Sequence, residues 1–423
     1  MKESIKYHLK STLSPEALVK VRTVAAELAG LTRWLDARNI PMDKLLWGGE
    51  QGTPAAKYSR ITDKLLRPST PLCNIPHVDL LHRYQIEKED LFKPEVFLKT
   101  SYYINAVEAL DLTGDYFGCR KPGDIVRQAR RFVASSKGGN DLPLASTRGI
   151  SNRFMPILVR RIAYSDGYYE IVDGHHRLAI RYVKGAKKCR VHILKERAVL
   201  TPLQQRLLDV FWTKGLRLLY QPVESPEIGK KWRQVRRCTD RHEMMVNFLR
   251  KGSLLPPQAN TYLDLGSSYG WFVSEMSKLG FDAWGVDRDI AAVSLGPELY
   301  GIDPDKVMVE NLATYLEQNS RVFEVTSCFS VLHHFVLGNA PLSAETLMNH
   351  IDRATGKVLF IDSGQNHELW FKHSLPEWDP HYIENWIKKH SSFTNIHRLG
   401  KDHDFTLPGQ SRNYGRTLFA CTR

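Results

Sequence analysis

The spacing of hydrophobic positions along the chain changes near residue 140. Before it, apolar residues recur at helical spacing, most clearly over 13–35. After it, three apolar runs predict strands over 156–162, 168–172 and 191–194, and a helix is predicted over 177–185. The pattern therefore predicts a mainly helical N-terminal region over 1–140 and a small α/β domain over 141–199.

A longer alternation of strands and helices runs from 255 to 423. Strands are predicted over 261–265, 282–286, 325–335 (with the loop after it), 357–362 and 416–420. Strands that alternate with helices are typical of a doubly wound parallel sheet. A basic helical linker is predicted over 200–254, so the expected fold class is α/β with several domains.

Composition supports this size of protein and argues against a membrane span. The chain has 423 residues, 42% of them hydrophobic, and contains no apolar run long enough to cross a bilayer. Its six cysteines are scattered without a Cys-x-x-Cys pair, which argues against zinc sites and disulfides. The first residues lack the apolar core of a signal peptide. We therefore expect a cytoplasmic protein.

The formal net charge is +13, and part of the basic excess is local. Lysines and arginines cluster over 230–241 around Trp232, and Arg127, Arg130 and Arg131 lie on a predicted helix. Such patches attract nucleic acid, anionic membrane surfaces or phosphorylated substrates, so a peripheral association with the inner membrane is one expectation. The cluster around Trp232 is interpreted either as a basic helix that covers the substrate or as linker packing. The arginine set also fits a solvated helix face.

Residues 171–178 read Ile-Val-Asp-Gly-His-His-Arg-Leu and lie where a strand gives way to a helix. A helix start exposes free N–H groups and the positive end of the helix dipole, and both favour anions. Asp173 in this position can hold a metal ion or a proton. The residues of the predicted phosphate site are Gly174, His175, His176 and Arg177. The alternative interpretation is a turn with an ordinary helix cap.

The stretch 141–196 resembles the ParB/sulfiredoxin-like fold, and above all the Asp-Gly-His-His-Arg box of its free serine kinases. The resemblance implies that the box cradles the phosphates of a nucleotide such as ATP. It also implies that Asp173 and the histidines assist phosphoryl transfer, with Mg²⁺ held at Asp173. The carboxylate base that this family has outside the box finds no match here, and Glu108 and Asp115 are candidates by proximity only. The same fold includes nucleotide switches that bind DNA.

A second glycine turn follows the strand predicted over 261–265. Gly266 and Gly270 let the backbone approach a ligand closely. The next strand ends in Asp287, where an acid is placed to bind ribose hydroxyls. The turn and the acid together predict a nucleoside site at one edge of the sheet.

Residues 255–423 resemble a class I S-adenosylmethionine-dependent methyltransferase, with its Rossmann-like sheet. Asp264, Gly266 and Gly270 match the Asp-x-Gly-x-x-x-Gly turn of that family, and Ser268 replaces the middle glycine of its commonest form. The resemblance implies that S-adenosylmethionine lies against this turn with its ribose on Asp287. The family contacts adenine at the positions that Glu310 and Asn311 occupy here. A nicotinamide dehydrogenase with the same doubly wound start is the alternative.

The Ser-x-Leu-His-His segment of the same family matches residues 330–334. The acceptor of the methyl group is expected to be an oxygen, and His333 or His334 would take its proton, because the ordinary pKa of histidine lies near neutral pH. The rival interpretation is that both histidines only shape the loop.

Three functions remain open. The first is a bifunctional enzyme that phosphorylates and methylates a small molecule or a glycan, such as the end of a surface polysaccharide. The second is a DNA-associated protein that senses nucleotide and methylates a base; it is less expected, because no helix-turn-helix follows the box and no Asn/Asp-Pro-Pro-Tyr/Phe segment follows the fourth strand. The third is a methyltransferase whose box only binds a phosphorylated substrate.

Overall fold

The computed structural model describes residues 31–47, 70–114, 116–137, 156–195, 197–211, 213–340, 342–404 and 415–423, together with three single residues before them. The chain divides into two compact units. The N-terminal unit comprises Met1–Gln204 and Ser225–Gly229, and the C-terminal unit comprises Gln205–Glu224 and Lys230–Arg423. Most of the helix predicted over 13–35, and residue 115, lie outside the described residues.

The N-terminal unit is a sheet covered by helices. Its strands are β1 (Arg38–Pro41), β2 (Leu45–Trp47), β3 (Thr70–Pro71), β4 (Ile157–Arg161), β5 (Tyr169–Asp173) and β6 (Lys188–Ile193). Its helices are α1 (Pro76–Glu87), α2 (Pro94–Phe97), α3 (Ser101–Thr113), α4 (Pro122–Lys137) and α5 (His175–Val183). The strand order is β1-β6-β4-β5-β2-β3, with β4 antiparallel to β5 and parallel to β6.

The three strands predicted after residue 140 are present as β4, β5 and β6, and the helix begins at His175, two residues earlier than predicted. The helices before residue 140 and these strands share one hydrophobic core, with Leu81, Phe132 and Ile171 among its members. The helical region and the small α/β domain therefore form one compact unit in the structure.

The C-terminal unit is built on a seven-stranded sheet. Its long strands are β9 (Thr261–Leu265), β10 (Asp282–Asp287), β11 (Val307–Val309), β12 (Phe323–Cys328), β13 (Thr355–Ile361), β14 (Asn395–Lys401) and β15 (Thr417–Thr422). They lie in the order β11-β10-β9-β12-β13-β15-β14. The first five are parallel, and β15 runs antiparallel between β13 and β14. The doubly wound sheet predicted for 255–423 is thus confirmed.

Helices cover the sheet and give the unit two apolar cores, one that includes Leu263, Leu347 and Ile387 and another that includes Met245, Phe272 and Phe360. The helices are α6 (Pro202–Asp209), α7 (Thr239–Lys251), α8 (Trp271–Lys278), α9 (Ile290–Val293), α10 (Gly296–Tyr300), α11 (Leu312–Gln318), α12 (Leu332–Val336), α13 (Ala344–Ala354), α14 (Leu369–Lys372) and α15 (Pro380–His390). Helix α6 starts in the N-terminal unit. None of the helices in the described residues is long and apolar enough to cross a membrane.

The predicted linker is only partly helical. Between α6 and α7 the chain forms two short strands, β7 (Leu218–Leu219) and β8 (Arg233–Gln234), which pair in parallel. Trp232 precedes β8 and is buried, so the interpretation of this aromatic as part of a basic helix is wrong. The pairing of β8 with β7 satisfies its backbone groups and prevents a helix there.

Candidate functional site

The turn between β9 and α8 opens one edge of the parallel sheet. Gly266 and Gly270 both have φ of +85°, a left-handed conformation that glycine adopts without strain, and Gly270 caps α8 without a side-chain hydrogen bond. A Cβ atom at Gly266 would lie 2.5 Å from Cγ2 of Val331. The position therefore requires glycine on both counts, conformation and space.

Asp287 ends β10, directly beside β9, and its carboxylate is fixed by the backbone. One oxygen accepts the N–H of Ser268 at 2.8 Å and the other accepts the N–H of Asp289 at 2.9 Å. Burial raises the pKa of Asp287, and these two N–H donors oppose the rise. Each oxygen keeps a second lone pair, so the carboxylate can also accept two hydrogen bonds from a vicinal diol.

A cavity of about 270 Å³ lies in front of this edge. Among the predicted site residues, it is lined by Gly266, Ser268, Asp287, Asn311 and His334. Ser330 of the Ser-x-Leu-His-His segment also lines it, as do residues that the sequence analysis did not single out, among them Arg288, Leu312, Phe329 and Phe335. The sheet edge therefore brings most of the predicted nucleoside-binding residues to one cavity.

Glu310 and Gly270 are not among the lining residues. The Glu310 carboxylate accepts the N–H of Asn311 at 2.9 Å, and Gly270 caps the helix behind the turn. Asn311 caps α11 by accepting the N–H of Ala313 at 2.9 Å. Its side chain therefore caps α11, and the residue borders the cavity.

Asp264 lies deeper, against a small cavity of about 20 Å³ that shares Gly266 and Ser330 with the larger one. Its carboxyl accepts a hydrogen bond of 2.6 Å from Ser327, whose hydroxyl is also 2.5 Å from that of Tyr262. Burial raises the pKa of Asp264 to about 7, against the opposing effect of the Ser327 hydrogen bond. Asp264 thus links β9 to the neighbouring strand β12 through its side chain.

The two predicted histidines occupy different positions. His334 is half-buried and lines the large cavity, whereas His333 is 8% exposed and packs edge-on against Phe371 at 5.6 Å between ring centroids. Burial lowers the pKa of both imidazoles, so both are neutral near pH 7. A neutral imidazole can accept a proton, and only that of His334 is placed beside the cavity to do so.

A buried network of charges, which the sequence analysis did not detect, fixes the loops behind the cavity. The Arg241 side chain is 2% exposed and donates to Asp362 at 2.9 Å, to Asp404 at 2.8 Å and to Asp402. Burial raises the pKa of Asp402 to about 6, whereas Arg241 and Arg236 overcome burial and hold the pKa of Asp404 well below its ordinary value. These residues are far apart in sequence, so no local pattern reveals them.

This network ends on Ser330, which lines both cavities. Asp362 accepts the N–H of Ser330 at 2.7 Å, and Arg416 donates to the Ser330 hydroxyl at 3.0 Å while forming a bidentate pair with Glu368. Ser330 has a φ of +59°, an uncommon conformation for a residue other than glycine. The buried charges therefore hold a strained residue at the edge of the site.

In the N-terminal unit, the predicted phosphate box forms the junction of β5 and α5. Gly174 has a φ of +102°, and a Cβ atom there would lie 2.5 Å from Cδ1 of Ile157. Arg177 donates to Asp173 at 3.2 Å in a partly exposed ion pair. No group of three or more His, Cys, Asp or Glu side chains suited to a metal ion occurs in the described part of the chain.

The two histidines of the box point into the core. His175 is 0% and His176 4% exposed, and His176 Nε2 lies 2.9 Å from the hydroxyl of Tyr102. His77 stacks on His175 at 5.7 Å between ring centroids. Burial lowers the pKa of His175 to about 4 and that of His176 to about 3, so both rings are neutral. This placement differs from the expected one, in which both rings face phosphate, because packing among aromatic rings draws them inward.

No protein-family model and no curated protein matches the chain. Among solved structures, WbdD, a bifunctional kinase-methyltransferase, is similar with 18% identity over 49% of this chain and 44% of WbdD, at a TM-score of 0.39. Magnesium protoporphyrin IX methyltransferase from Synechocystis PCC 6803 with bound SAM has 18% identity over 44% of this chain and 79% of its own, at a TM-score of 0.33. A SAM-dependent methyltransferase from Archaeoglobus fulgidus has 12% identity over 43% of this chain and 94% of its own, at a TM-score of 0.31.

The chain thus covers less than half of WbdD. Strand order and the glycine turn, rather than these distant similarities, carry the assignment of the fold: the C-terminal unit has the doubly wound sheet that class I S-adenosylmethionine-dependent methyltransferases share.

Proposed function

We propose that the C-terminal unit transfers a methyl group from S-adenosylmethionine to an oxygen acceptor. The observation that carries the proposal is the position of Asp287, whose anchored carboxylate faces the same cavity as the turn at Gly266. Asp287 would accept the ribose hydroxyls, the methionine part would lie against Gly266, and Asn311 and Leu312 would border the adenine. Ligands of open α/β sheets bind at this carboxyl edge of the strands.

His334 is the residue that would take the acceptor proton. In the reaction, the acceptor oxygen forms a bond to the methyl carbon as the bond from that carbon to sulfur breaks, and the proton of a hydroxyl acceptor passes to the neutral imidazole. His333 would only support this loop, because it lies behind the cavity wall. An acceptor that is already ionised, such as a phosphate, would need no base.

The first experiment measures S-adenosylmethionine binding by calorimetry. Asp287→Ala removes charge-assisted hydrogen bonds worth roughly 1.5–3 kcal/mol, so the affinity should fall about tenfold or more. Asp287→Asn keeps the size of the side chain and should also weaken binding. Asp305→Ala is the matched control, because Asp305 is an exposed carboxylate outside the cavity. An affinity that survives both substitutions at Asp287 would refute the site.

We propose further that the N-terminal unit binds a phosphorylated ligand at the start of α5. The supporting observation is that α5 begins directly after Gly174 without a side-chain cap and with the Arg177 guanidinium beside it, an arrangement that suits an anion. Phosphoryl transfer from ATP with Mg²⁺ at Asp173 is the extended form of this proposal, and a bifunctional enzyme acting on a small molecule or glycan would result. Because both histidines are buried, their rings would take no part in catalysis, and binding would depend on the helix start and Arg177.

Mass spectrometry of products distinguishes the two forms. The protein is incubated with ATP, Mg²⁺, S-adenosylmethionine and a pool of glycans and metabolites. A product that gains both a phosphate and a methyl group indicates the bifunctional enzyme, and Asp173→Asn should then abolish the phosphate gain while S-adenosylmethionine binding persists. A methyl gain alone, together with thermal stabilisation by phosphorylated ligands that Arg177→Ala removes, indicates a binding box. If the products gain no phosphate and phosphorylated ligands do not stabilise the protein, the box is only a structural turn.

A further inference from the structure

The turn over 266–270 is a strained stretch of backbone. Gly266, Ser268 and Gly270 have positive φ, at +85°, +52° and +85°. Glycine adopts this conformation without strain, whereas serine does not. Strained backbone persists only where the surrounding structure fixes it. The N–H of Ser268 donates to Asp287, but this one hydrogen bond does not fix the residues on either side of Ser268.

A second interaction fixes both ends of the turn, and it comes from Gln221. This residue follows β7, well before the sheet in sequence, and is 4% exposed. Its amide nitrogen donates to the carbonyl oxygen of Ser267 at 3.1 Å, and its amide oxygen accepts the N–H of Trp271 at 3.2 Å. Trp271 begins α8, where Gly270 offers no side-chain cap, so Gln221 supplies the acceptor that the helix start lacks.

The two neighbours of Gln221 are fixed as well. The N–H of Tyr220 donates to the hydroxyl of Tyr269, a buried residue of the turn, at 3.4 Å. The carbonyl oxygen of Pro222 accepts the Tyr300 hydroxyl at 2.6 Å. Tyr220 lines both cavities and Gln221 lines the small one. All five residues belong to the C-terminal unit, and three consecutive ones bind it beside the turn.

We propose that Gln221 is a positioning residue of the cofactor site. It holds the turn in the conformation that receives the methionine part of S-adenosylmethionine at Gly266. The inference rests on the proposed methyl transfer and adds to it a residue from outside the doubly wound sheet. Asp287 binds the ribose, whereas Gln221 acts through the turn and touches no reacting atom. Loss of Gln221 should therefore affect the methionine part of the ligand more than the nucleoside.

Calorimetry with two ligands tests the inference on the whole chain. The ligands are S-adenosylmethionine and 5′-methylthioadenosine, which has the same nucleoside but lacks the amino and carboxylate groups. Gln221→Met keeps the length of the side chain and removes both hydrogen bonds, so it should weaken S-adenosylmethionine binding about tenfold. The affinity for methylthioadenosine should fall less than about threefold. Gln221→Asn keeps the amide but is too short to bridge the turn, and should show the same preference to a smaller degree.

Gln204→Met is the matched control. Gln204 is also buried, and its amide also bridges backbone groups, those of Thr201 and Glu227, but it belongs to the N-terminal unit. Denaturant unfolding measures what each substitution costs in stability. Gln204→Met should lower the stability and leave the affinity for both ligands unchanged. If Gln221→Met does not fold, Gln221→Asn decides alone.

Asp287→Ala separates failure of this inference from failure of the proposed function. It should weaken the binding of both ligands, because both carry the ribose. If it does so and the folded Gln221 variants bind S-adenosylmethionine like the wild type, or lose affinity for both ligands by the same factor, Gln221 does not position the turn and the inference is overturned. If the wild type does not bind S-adenosylmethionine, or Asp287→Ala binds both ligands unchanged, the proposed cofactor site itself is wrong.

Discussion

The two units contain the same local device and use it differently. In each, a strand ends, a glycine with positive φ follows, and a helix begins without a side-chain cap: Gly174 before α5 and Gly270 before α8. In each, the two ring-bearing residues after the glycine are buried, His175–His176 in one case and Trp271–Phe272 in the other. The helix starts are therefore alike, and the difference lies before the glycine.

The connection between strand and helix differs in length between the two units. Only Gly174 separates β5 from α5, whereas residues 266–270 separate β9 from α8. The longer turn leaves space in front of the sheet, and Asp287 from the neighbouring strand lines it. The short junction places a single residue between strand and helix, so a ligand there would meet the helix start directly. A glycine before a helix start favours an anion in both units, and in the C-terminal unit the longer turn adds a cavity to this arrangement.

The cavity of the C-terminal unit also differs from the junction of the N-terminal unit in the interactions that stabilise it. Buried ions hold the loops of the C-terminal unit, whereas neutral rings pack behind the junction in the N-terminal unit. Arg241→Leu should therefore be the most destabilising single change, by about 3–5 kcal/mol, because it leaves buried carboxylates without their partner. Denaturant unfolding measures the loss, with Arg250→Leu, exposed on the same helix, as control. A loss below about 1 kcal/mol would show that the carboxylates are satisfied without Arg241.

The neutral rings of the N-terminal unit predict a dependence of stability on pH. The pKa of His176 is lowered to about 3 and that of His175 to about 4 by burial, from about 6.5 in the unfolded chain. As pH falls below about 6.5, the unfolded chain takes up protons that the folded one excludes, so the free energy of unfolding falls by up to about 1.4 kcal/mol per pH unit for each histidine. Glu170 acts in the opposite sense: burial raises its pKa to about 7, and its contribution is lost as pH rises from about 4.5 to 7.

The variant His176→Phe isolates one of these contributions. Denaturant unfolding of the wild type and the variant is measured at about pH 7 and about pH 5. Between these values the stability of the wild type should fall more steeply than that of the variant, by up to about 1.4 kcal/mol per pH unit. Equal slopes would mean that His176 titrates alike in the folded and unfolded chain.

The sequence predicted what depends on local pattern. Alternating strands and helices predicted the sheet of the C-terminal unit, and the glycines with Asp287 predicted where its cavity opens. The sequence could not show which way the side chains after Gly174 point, because inward packing depends on Tyr102 and His77, which lie on other helices. Nor could it reveal the pairing of Arg241 with Asp362 and Asp404, since contacts between residues so distant in sequence leave no periodic signal.

Replacing one glycine by alanine in each unit is the most direct test of the comparison between the two strand–helix connections. Gly174→Ala and Gly266→Ala both force alanine into positive φ, and both place Cβ 2.5 Å from an apolar side chain, that of Ile157 or Val331. Each should cost about 1–3 kcal/mol of stability. Only Gly266→Ala should also weaken S-adenosylmethionine binding, because Gly266 lines the cavity and Gly174 belongs to the other unit.

Calorimetry beside denaturant unfolding separates the two effects. Gly301→Ala is a useful control, since Gly301 also has positive φ (+67°) but no atom within 4 Å of the added Cβ. It should cost stability through conformation alone and leave binding intact. If Gly174→Ala lowered S-adenosylmethionine affinity as much as Gly266→Ala, the two glycines would serve one site, and the contrast between an open turn and a closed junction would be wrong.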